Sequence, residues 1–382
     1  MRIAIDARLI LPQMTGIGRY LLGLGSGLRA IPGNNSFDLW IQADLPPEHP
    51  VWALEGERLA LNELSIRHMN IKQHWVLPNE LRLNPPDLFH YPHFDLPLFV
   101  PGKVVATIHD LKYITKPEFF PHLGRVKRII MLLMMTFTTR RTCHIITDSN
   151  NTRHDLIRHL HVTPENVSVV YPGVDSAYFK KPSQFMLQTV LSHYGLEKPY
   201  ILFVGERRPH KNIPGLLRAF DVFLKTNELP YHLVIVGKRY ADYQEPERLV
   251  ERLGLTNNVH ILDYVPDEEL PSIYRFAEAF ALLSYYEGFG LPVLEAMASG
   301  TPVVASHTTS LPEVVGDAGL LIDPDDPVEC AHALRQIVSG GKQREKYITK
   351  GKERARMFTW ERCARETLSI YLKVIHKSFQ QD

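Results

Sequence analysis

Short apolar runs of three to six residues recur along this chain, each followed by a polar or glycine-bearing loop and then by a stretch with helical spacing. That alternation calls for parallel sheets, because parallel strands cannot be joined by hairpins and need crossover helices. Residues 3–7 read as a first strand, and 16–30 as a helix that Gly23, Gly25 and Gly27 weaken. Residues 88–91, 104–109, 144–147 and 167–171 read as further strands, and the carboxyl half repeats the scheme at 200–204, 233–236, 259–262, 280–283, 302–305 and 320–322. A polar stretch at 180–198 separates the halves, so a boundary falls between residues 175 and 195. The expected domains are 1–180 and 181–358, followed by a helix at 359–382 whose apolar pattern runs to Phe379. Two open sheets of this kind bind ligand at the carboxyl ends of their strands.

Composition narrows the function. A length of 382 residues and an apolar fraction of 45% allow two full cores. A formal net charge of +1 argues against a nucleic-acid protein that binds through a broad basic surface. Cys143, Cys330 and Cys363 form neither a disulfide framework nor a metal-ligand spacing, which fits a reducing compartment and a cytoplasmic location. Asp6 and Arg8 interrupt the amino-terminal apolar run, so it does not read as a signal peptide. The longest apolar run, 129–137, has nine residues, against the roughly 18 needed for a membrane span.

The stretch from Glu287 to Glu295 carries the most chemistry. It follows a predicted strand at 279–284 and leads into a predicted helix at 291–299 closed by Gly300. Glu287 therefore sits at the end of a strand, and Glu295 in the first turns of a helix. Gly288 and Gly290 permit close backbone approach, and Pro292 suits a first helical turn. Free N–H groups at that helix start, with the helix dipole behind them, make an anion site. A carboxylate on each side of an anion site suits a sugar nucleotide: the helix end takes the diphosphate and the carboxylates accept from sugar hydroxyls.

A second loop follows the strand at 200–204. Gly205 ends that strand, and Arg207, Arg208 and Lys211 come before the next helix. Fixed cations in a dry cleft stabilise the charge gained by a departing diphosphate; the plainer reading is a basic loop capping a helix. In the amino half, His109 and Asp110 end an apolar strand, with a structural histidine as the plainer reading. Gly16 and Gly18 follow the first strand without the third glycine of a dinucleotide fingerprint, but Gly16 still suits close approach of a phosphate. Residues 125–137 combine Arg125, Lys127 and Arg128 with apolar residues all round the helix. A buried crossover helix is preferred there to a membrane-surface helix, although the three cations can still touch anionic lipid. No Asp-x-Asp cluster or His-Glu zinc spacing marks a metal site, and no nucleophile elbow is present.

Taken in order, these loops resemble the retaining glycosyltransferases of family 4, an α/β class with the GT-B fold, in which two Rossmann-like domains face each other across a cleft. The likeness covers almost the whole chain and is densest at 200–325. Glu287 and Glu295 resemble that family's E-x7-E motif, Gly205 with Lys211 and Asn212 its phosphate loop, and 258–266, with Val265, its nucleobase-side loop. Residues 310–314, Gly16, His109 with Asp110, 147–149 and 172–175 also match typical positions. The resemblance implies that Glu287 binds the transferred sugar, Glu295 the ribose, and the backbone of Gly288 to Leu291 the sugar and diphosphate. Lys211 with Arg207 or Arg208 would neutralise the leaving group, Gly16 would admit the phosphate, and His109 would lie near the sugar. Glu206 departs from the arginine that many members carry after the strand-ending glycine, which passes the cationic duty to Arg207, Arg208 or Lys211.

The resemblance further implies no cofactor and no metal. The donor is a nucleotide sugar, GDP-mannose by likeness to bacterial O-antigen and exopolysaccharide transferases, with UDP- and dTDP-sugars as alternatives. The acceptor is a glycan or lipid-linked glycan at the inner face of the cytoplasmic membrane, with peripheral contact and no nucleic acid. The rival readings are an NAD-dependent oxidoreductase, a catalytically idle GT-B module that senses a nucleotide sugar or joins a polysaccharide assembly complex, and a phosphorylase or epimerase of the same fold.

Overall fold

The computed structural model describes residues 1–121, 123–197, 199–227 and 229–376. The chain divides into two units. Described residues of 1–117, 121–173 and 358–382 form unit 1, and those of 118–120 and 174–357 form unit 2.

Unit 1 is built on seven parallel strands: β1 (Arg2–Asp6), β2 (Ser36–Gln42), β3 (Leu59–Leu64), β4 (Leu88–Tyr91), β5 (Val104–Ile108), β6 (His144–Thr147) and β7 (Val167–Val169). Their order across the sheet is β3-β2-β1-β4-β5-β6-β7. Every residue of β4, β5 and β6 is buried, as expected of strands covered on both faces by helices. Sequence reading missed two strands. In β2 the apolar run is broken by Asp38, which accepts from Arg2 Nε at 2.5 Å, and by Gln42, which donates to the Arg8 carbonyl at 3.0 Å. β3 is an edge strand whose Asn62 and Glu63 face solvent, so it carries little apolar signal.

The helix Trp360–His376 packs against the helix Gly16–Ala30. The glycines that weaken the latter make this approach possible: a Cβ on Gly23 would overlap the Trp360 indole, and one on Gly27 would overlap the Trp360 carbonyl. Tyr371 of the same helix binds His90 Nδ1 at 2.6 Å, and His90 Nε2 binds Thr107 Oγ1 at 2.8 Å. Burial, helped by the charge of His109, lowers the His90 pKa to about 3. The last positions of the expected helical pattern, 377–379, lie outside the described residues.

The helix Arg125–Arg141 corrects a sequence expectation. It was expected to be buried, yet only Met135 and Thr138 are fully covered, while Val126, Ile129, Ile130, Leu132 and Leu133 are exposed. Apolar residues lie on all sides, but only one side meets the sheet.

Unit 2 has six parallel strands: β8 (Tyr200–Val204), β9 (His232–Val236), β10 (Val259–Leu262), β11 (Ala279–Leu282), β12 (Val303–Ser306) and β13 (Leu320–Ile322). They are ordered β10-β9-β8-β11-β12-β13. The sequence of connections reverses between β8 and β11, so the loops leaving these strands diverge and open a crevice there.

Candidate functional site

In unit 2 the loops after β8 and β11 bring Lys211 and Glu287 together. Lys211 lies in the 3-10 turn Pro209–Lys211, and Asn212 follows in the left-handed conformation. The Asn212 side chain accepts from Gly215 N at 3.0 Å and donates to the Pro324 carbonyl at 2.8 Å, which caps the helix Ile213–Lys225 and fixes the loop. Lys211 Nζ then reaches both oxygens of Glu287, at 2.7 and 2.8 Å. Ser284 donates to the same carboxylate at 2.6 Å. Glu287 N donates to Thr309 Oγ1 at 3.0 Å, and Ser310 Oγ donates to the carbonyls of Glu287 and Phe289 at 3.0 and 2.8 Å. The ammonium and the carboxylate are thus largely withdrawn from water, at 14% and 10% side-chain exposure, and held from several sides.

Arg207 and Arg208 take different directions. Arg207 is buried and pairs with Asp263, with Glu247 further off at 3.8 Å. Arg208 lies over the Tyr240 ring at 3.3 Å and meets both oxygens of Asp242 at 3.2 Å. Neither guanidinium is placed on Glu287. Gly205 N bonds the Val236 carbonyl at 2.9 Å, and a Cβ on neighbouring Gly237 would overlap the Gly205 carbonyl.

The helix Leu291–Ser299 begins at Gly290, whose φ of 109° favours glycine, and no side chain caps it. A Cβ on Gly290 would also press on Leu311 at 2.7 Å. Gly288 and Leu291 are partly exposed, while the Phe289 side chain is buried. Glu295, on the first turns of this helix, is buried and accepts from Tyr274 at 2.7 Å. The Val265 side chain is buried in the loop after β10.

In unit 1, Gly16 opens the helix Gly16–Ala30 behind an N-cap formed by Thr15, and a Cβ on Gly16 would meet nothing within 4 Å. His109, after β5, holds Asp148 Oδ2 through Nδ1 at 2.5 Å and meets the Tyr20 ring edge-on at 4.9 Å. Its Nε2 has no hydrogen-bond partner among the described residues. Burial acts to lower the His109 pKa, but the neighbouring carboxylates of Asp148 and then Asp110 prevail and raise it. Lys112 holds both oxygens of Asp110, donating from its backbone at 3.2 Å and from Nζ at 3.0 Å.

Sequence reasoning missed several supporting side chains. Ser284, Thr309 and Tyr274 lack charge and come from separate segments, and only the fold brings them to the two glutamates. A second polar cluster, His68, His93 and Asp95, places its ligand-type atoms within 4.8 Å of one another. Tyr91 and Gln73 also bind Asp95, at 2.9 and 3.1 Å. Burial lowers the His68 pKa to about 4. His93 and Asp95 share the loop after β4, and His68 comes from the loop after β3, a separation that gives no recognisable spacing in the sequence.

Comparison with known proteins places this geometry. The family model described as Glycosyl transferases group 1 matches residues 193–354, and that described as Glycosyltransferase Family 4 matches residues 14–178. The chain is 32% identical to the O-antigen chain mannosyltransferase B of Escherichia coli, over 97% of this chain and 99% of the relative. Among solved structures, the sucrose-phosphate synthase of Thermosynechococcus elongatus superposes with a TM-score of 0.79 at 21% identity, covering 99% of this chain and 100% of that one. Anabaena HepE in complex with UDP-glucose superposes with a TM-score of 0.74 at 20% identity, covering 97% and 99%.

Proposed function

The chain belongs to glycosyltransferase family 4, with a GT-B fold, and from that premise we propose that it moves mannose from GDP-mannose to a growing glycan, with retention at the anomeric carbon and without a metal. Membership makes it a glycosyltransferase; the donor, the stereochemistry and the metal independence are our reading. The observation that carries the reading is the pairing of Lys211 with Glu287 at the strand crossover of unit 2. A sugar-binding carboxylate and a diphosphate-binding cation are needed side by side where the anomeric bond breaks, and this pair supplies both. The mannose donor is supported by similarity along nearly the full length to a relative named for mannose transfer.

The chemistry we assign is same-face displacement. The acceptor oxygen bonds to the anomeric carbon as the bond from that carbon to the phosphate oxygen breaks, and the departing phosphate takes the acceptor's proton. Lys211 offsets the negative charge that gathers on the diphosphate, and the uncapped start of the helix Leu291–Ser299 adds its N–H groups and dipole. Glu287 positions the sugar and Glu295, with Oε2 fixed by Tyr274, the ribose. Val265 marks the nucleobase-side loop. Arg208, one-fifth exposed, is the second cation able to turn toward phosphate, while Arg207 braces the loop through Asp263. In unit 1, we assign Gly16 to the approach of phosphate and His109, oriented by Asp148, to a place near the sugar. A lipid-linked glycan acceptor would bring the chain to the inner face of the cytoplasmic membrane. No helix among the described residues is long and apolar enough to cross a membrane.

A thermal-shift panel of GDP, UDP, dTDP, ADP and NAD, with and without EDTA, tests this reading. Binding to the folded site stabilises by about 2.7 kcal/mol at a hundred times the Kd. A selective GDP shift unaffected by EDTA is the expected result. A selective UDP shift would replace the mannose donor with a UDP-sugar, in keeping with the UDP-glucose complex of the similar HepE structure. No shift with any nucleotide would favour an idle module that joins a polysaccharide assembly complex without binding nucleotide sugar.

A further inference from the structure

In unit 1 the loop after β3 is held by its polar side chain and not by its apolar ones. The His68 side chain is 6% exposed, whereas Met69 and Ile71 beside it are 60% and 68% exposed. Met69 also holds a φ of 61°, a left-handed conformation that a long side chain adopts only where its surroundings fix it. β3 buries little more than Leu59, so apolar burial does not supply that hold. The His68 ring does, by reaching the loop after β4. His68 Nε2 lies 3.3 Å from Asp95 Oδ1 and 3.0 Å from the Tyr91 hydroxyl, and His93 Nδ1 lies 2.5 Å from the same Asp95 oxygen.

The donor set selects a class of ion. Magnesium and calcium take oxygen ligands, whereas two imidazole nitrogens with one carboxylate oxygen suit a transition metal, zinc above all. Zinc donors at about 2.0–2.1 Å in a tetrahedron stand about 3.4 Å from one another. His68 and Asp95 already have that separation, at 3.3 Å. His93, 14% exposed, reaches it by swinging out about 1 Å from its present 2.5 Å. The Tyr91 hydroxyl, beside both His68 and Asp95, offers a fourth donor, which makes the site closed and structural. Gln73 steadies the set from behind: it donates to Asp95 Oδ2 at 3.1 Å and accepts from Arg8 at 3.2 Å. We propose that His68, His93 and Asp95 bind a zinc ion that staples the loop after β3 to the loop after β4. This ion takes no part in sugar transfer, so the site stands or falls apart from the donor assignment and from metal-free catalysis.

Titration of the EDTA-stripped full chain with Zn²⁺, read by calorimetry, by metal analysis after gel filtration and by Tm, tests the proposal. One zinc should bind per chain, and Zn²⁺ but not Mg²⁺ should raise the Tm. His68→Gln and His93→Asn should each weaken Zn²⁺ binding at least tenfold and abolish the rise. Both should keep the circular dichroism of the stripped parent, which confirms folding. Co²⁺ in place of Zn²⁺ tests the parent without any substitution: a four-coordinate site of nitrogen and oxygen donors gives strong visible absorption, and a hydrated surface site gives faint bands. No retained zinc would overturn the proposal and leave the cluster a hydrogen-bond network only. Equal Zn²⁺ binding by the parent and both variants would overturn it too, because other histidines would then hold the ion, as would faint Co²⁺ bands. A GDP-induced thermal shift of equal size with and without zinc is expected, because the ion holds loops of unit 1 and leaves the unit 2 site unchanged.

Discussion

Lys211 and Glu287 each depend on the other. Removing one partner of a largely buried ion pair leaves an uncompensated charge, which costs about 3–5 kcal/mol when burial is complete and less at this 10–14% exposure. Lys211→Ala should therefore lower both kcat and Tm, with kcat falling by roughly 10²–10³, the scale for losing one preorganised charge stabiliser. The double variant Lys211→Met, Glu287→Gln should restore much of the Tm and none of the kcat. Steady-state rates with calorimetry on the three proteins separate the two effects, and near-parental activity in Lys211→Ala would remove this residue from the mechanism. At this scale the sequence was informative where charge and glycine mark a loop: Lys211, Glu287 and His109 all stand out. It was silent on how Arg207 and Arg208 divide, because Asp263 and Asp242, which receive them, come from loops that approach only in the folded sheet.

The helix Gly16–Ala30 shows why propensity and packing must be weighed together. Three glycines each cost up to about 1 kcal/mol of helix stability relative to alanine. The structure uses Gly23 and Gly27 as a notch for Trp360, so alanine there gains propensity and loses fit. Gly27→Ala should destabilise unit 1 by about 1–3 kcal/mol, the usual penalty for overpacking, seen as a lower urea midpoint. A gain in stability would mean that the two helices can move apart without cost. The parallel strands were legible wherever burial on both faces gave an unbroken apolar run, as in β5 and β8. β2 hid behind Asp38 and Gln42, whose partners Arg2 and Arg8 are invisible to a local pattern. The Arg125–Arg141 helix misled in the opposite direction: its apolar residues encircle it, and sequence alone cannot say which side the sheet covers.

At the scale of the whole molecule, the two units should respond differently to acid. His68 and His90 have folded pKa values of about 4 and about 3, below the ordinary value, because burial disfavours their charged forms. The unfolded chain takes up these protons as pH falls through about 6.5 while the native chain does not, so stability drops by about 1.4 kcal/mol per histidine for each pH unit below that point. His109 acts in the opposite sense: its raised pKa gives stability that is full below about 6.5 and lost as pH rises through the folded value, so it offsets part of the drop. All three lie in unit 1. Urea unfolding at pH 7.5 and 5.5 should show the unit 1 transition moving to lower urea more than that of unit 2, and His90→Gln should flatten the difference. Equal movement of both transitions would refute this assignment. The return of the Trp360–His376 helix to unit 1 also sets an order in time. On the ribosome, the residues that begin first must wait longest: the Gly23 and Gly27 notch stays open until residues 360–376 leave the exit tunnel, by which time 174–357 have already emerged. The nascent chain should therefore finish its middle before its beginning, and a stall shortly after residue 357 would leave an unfinished core for chaperones to hold.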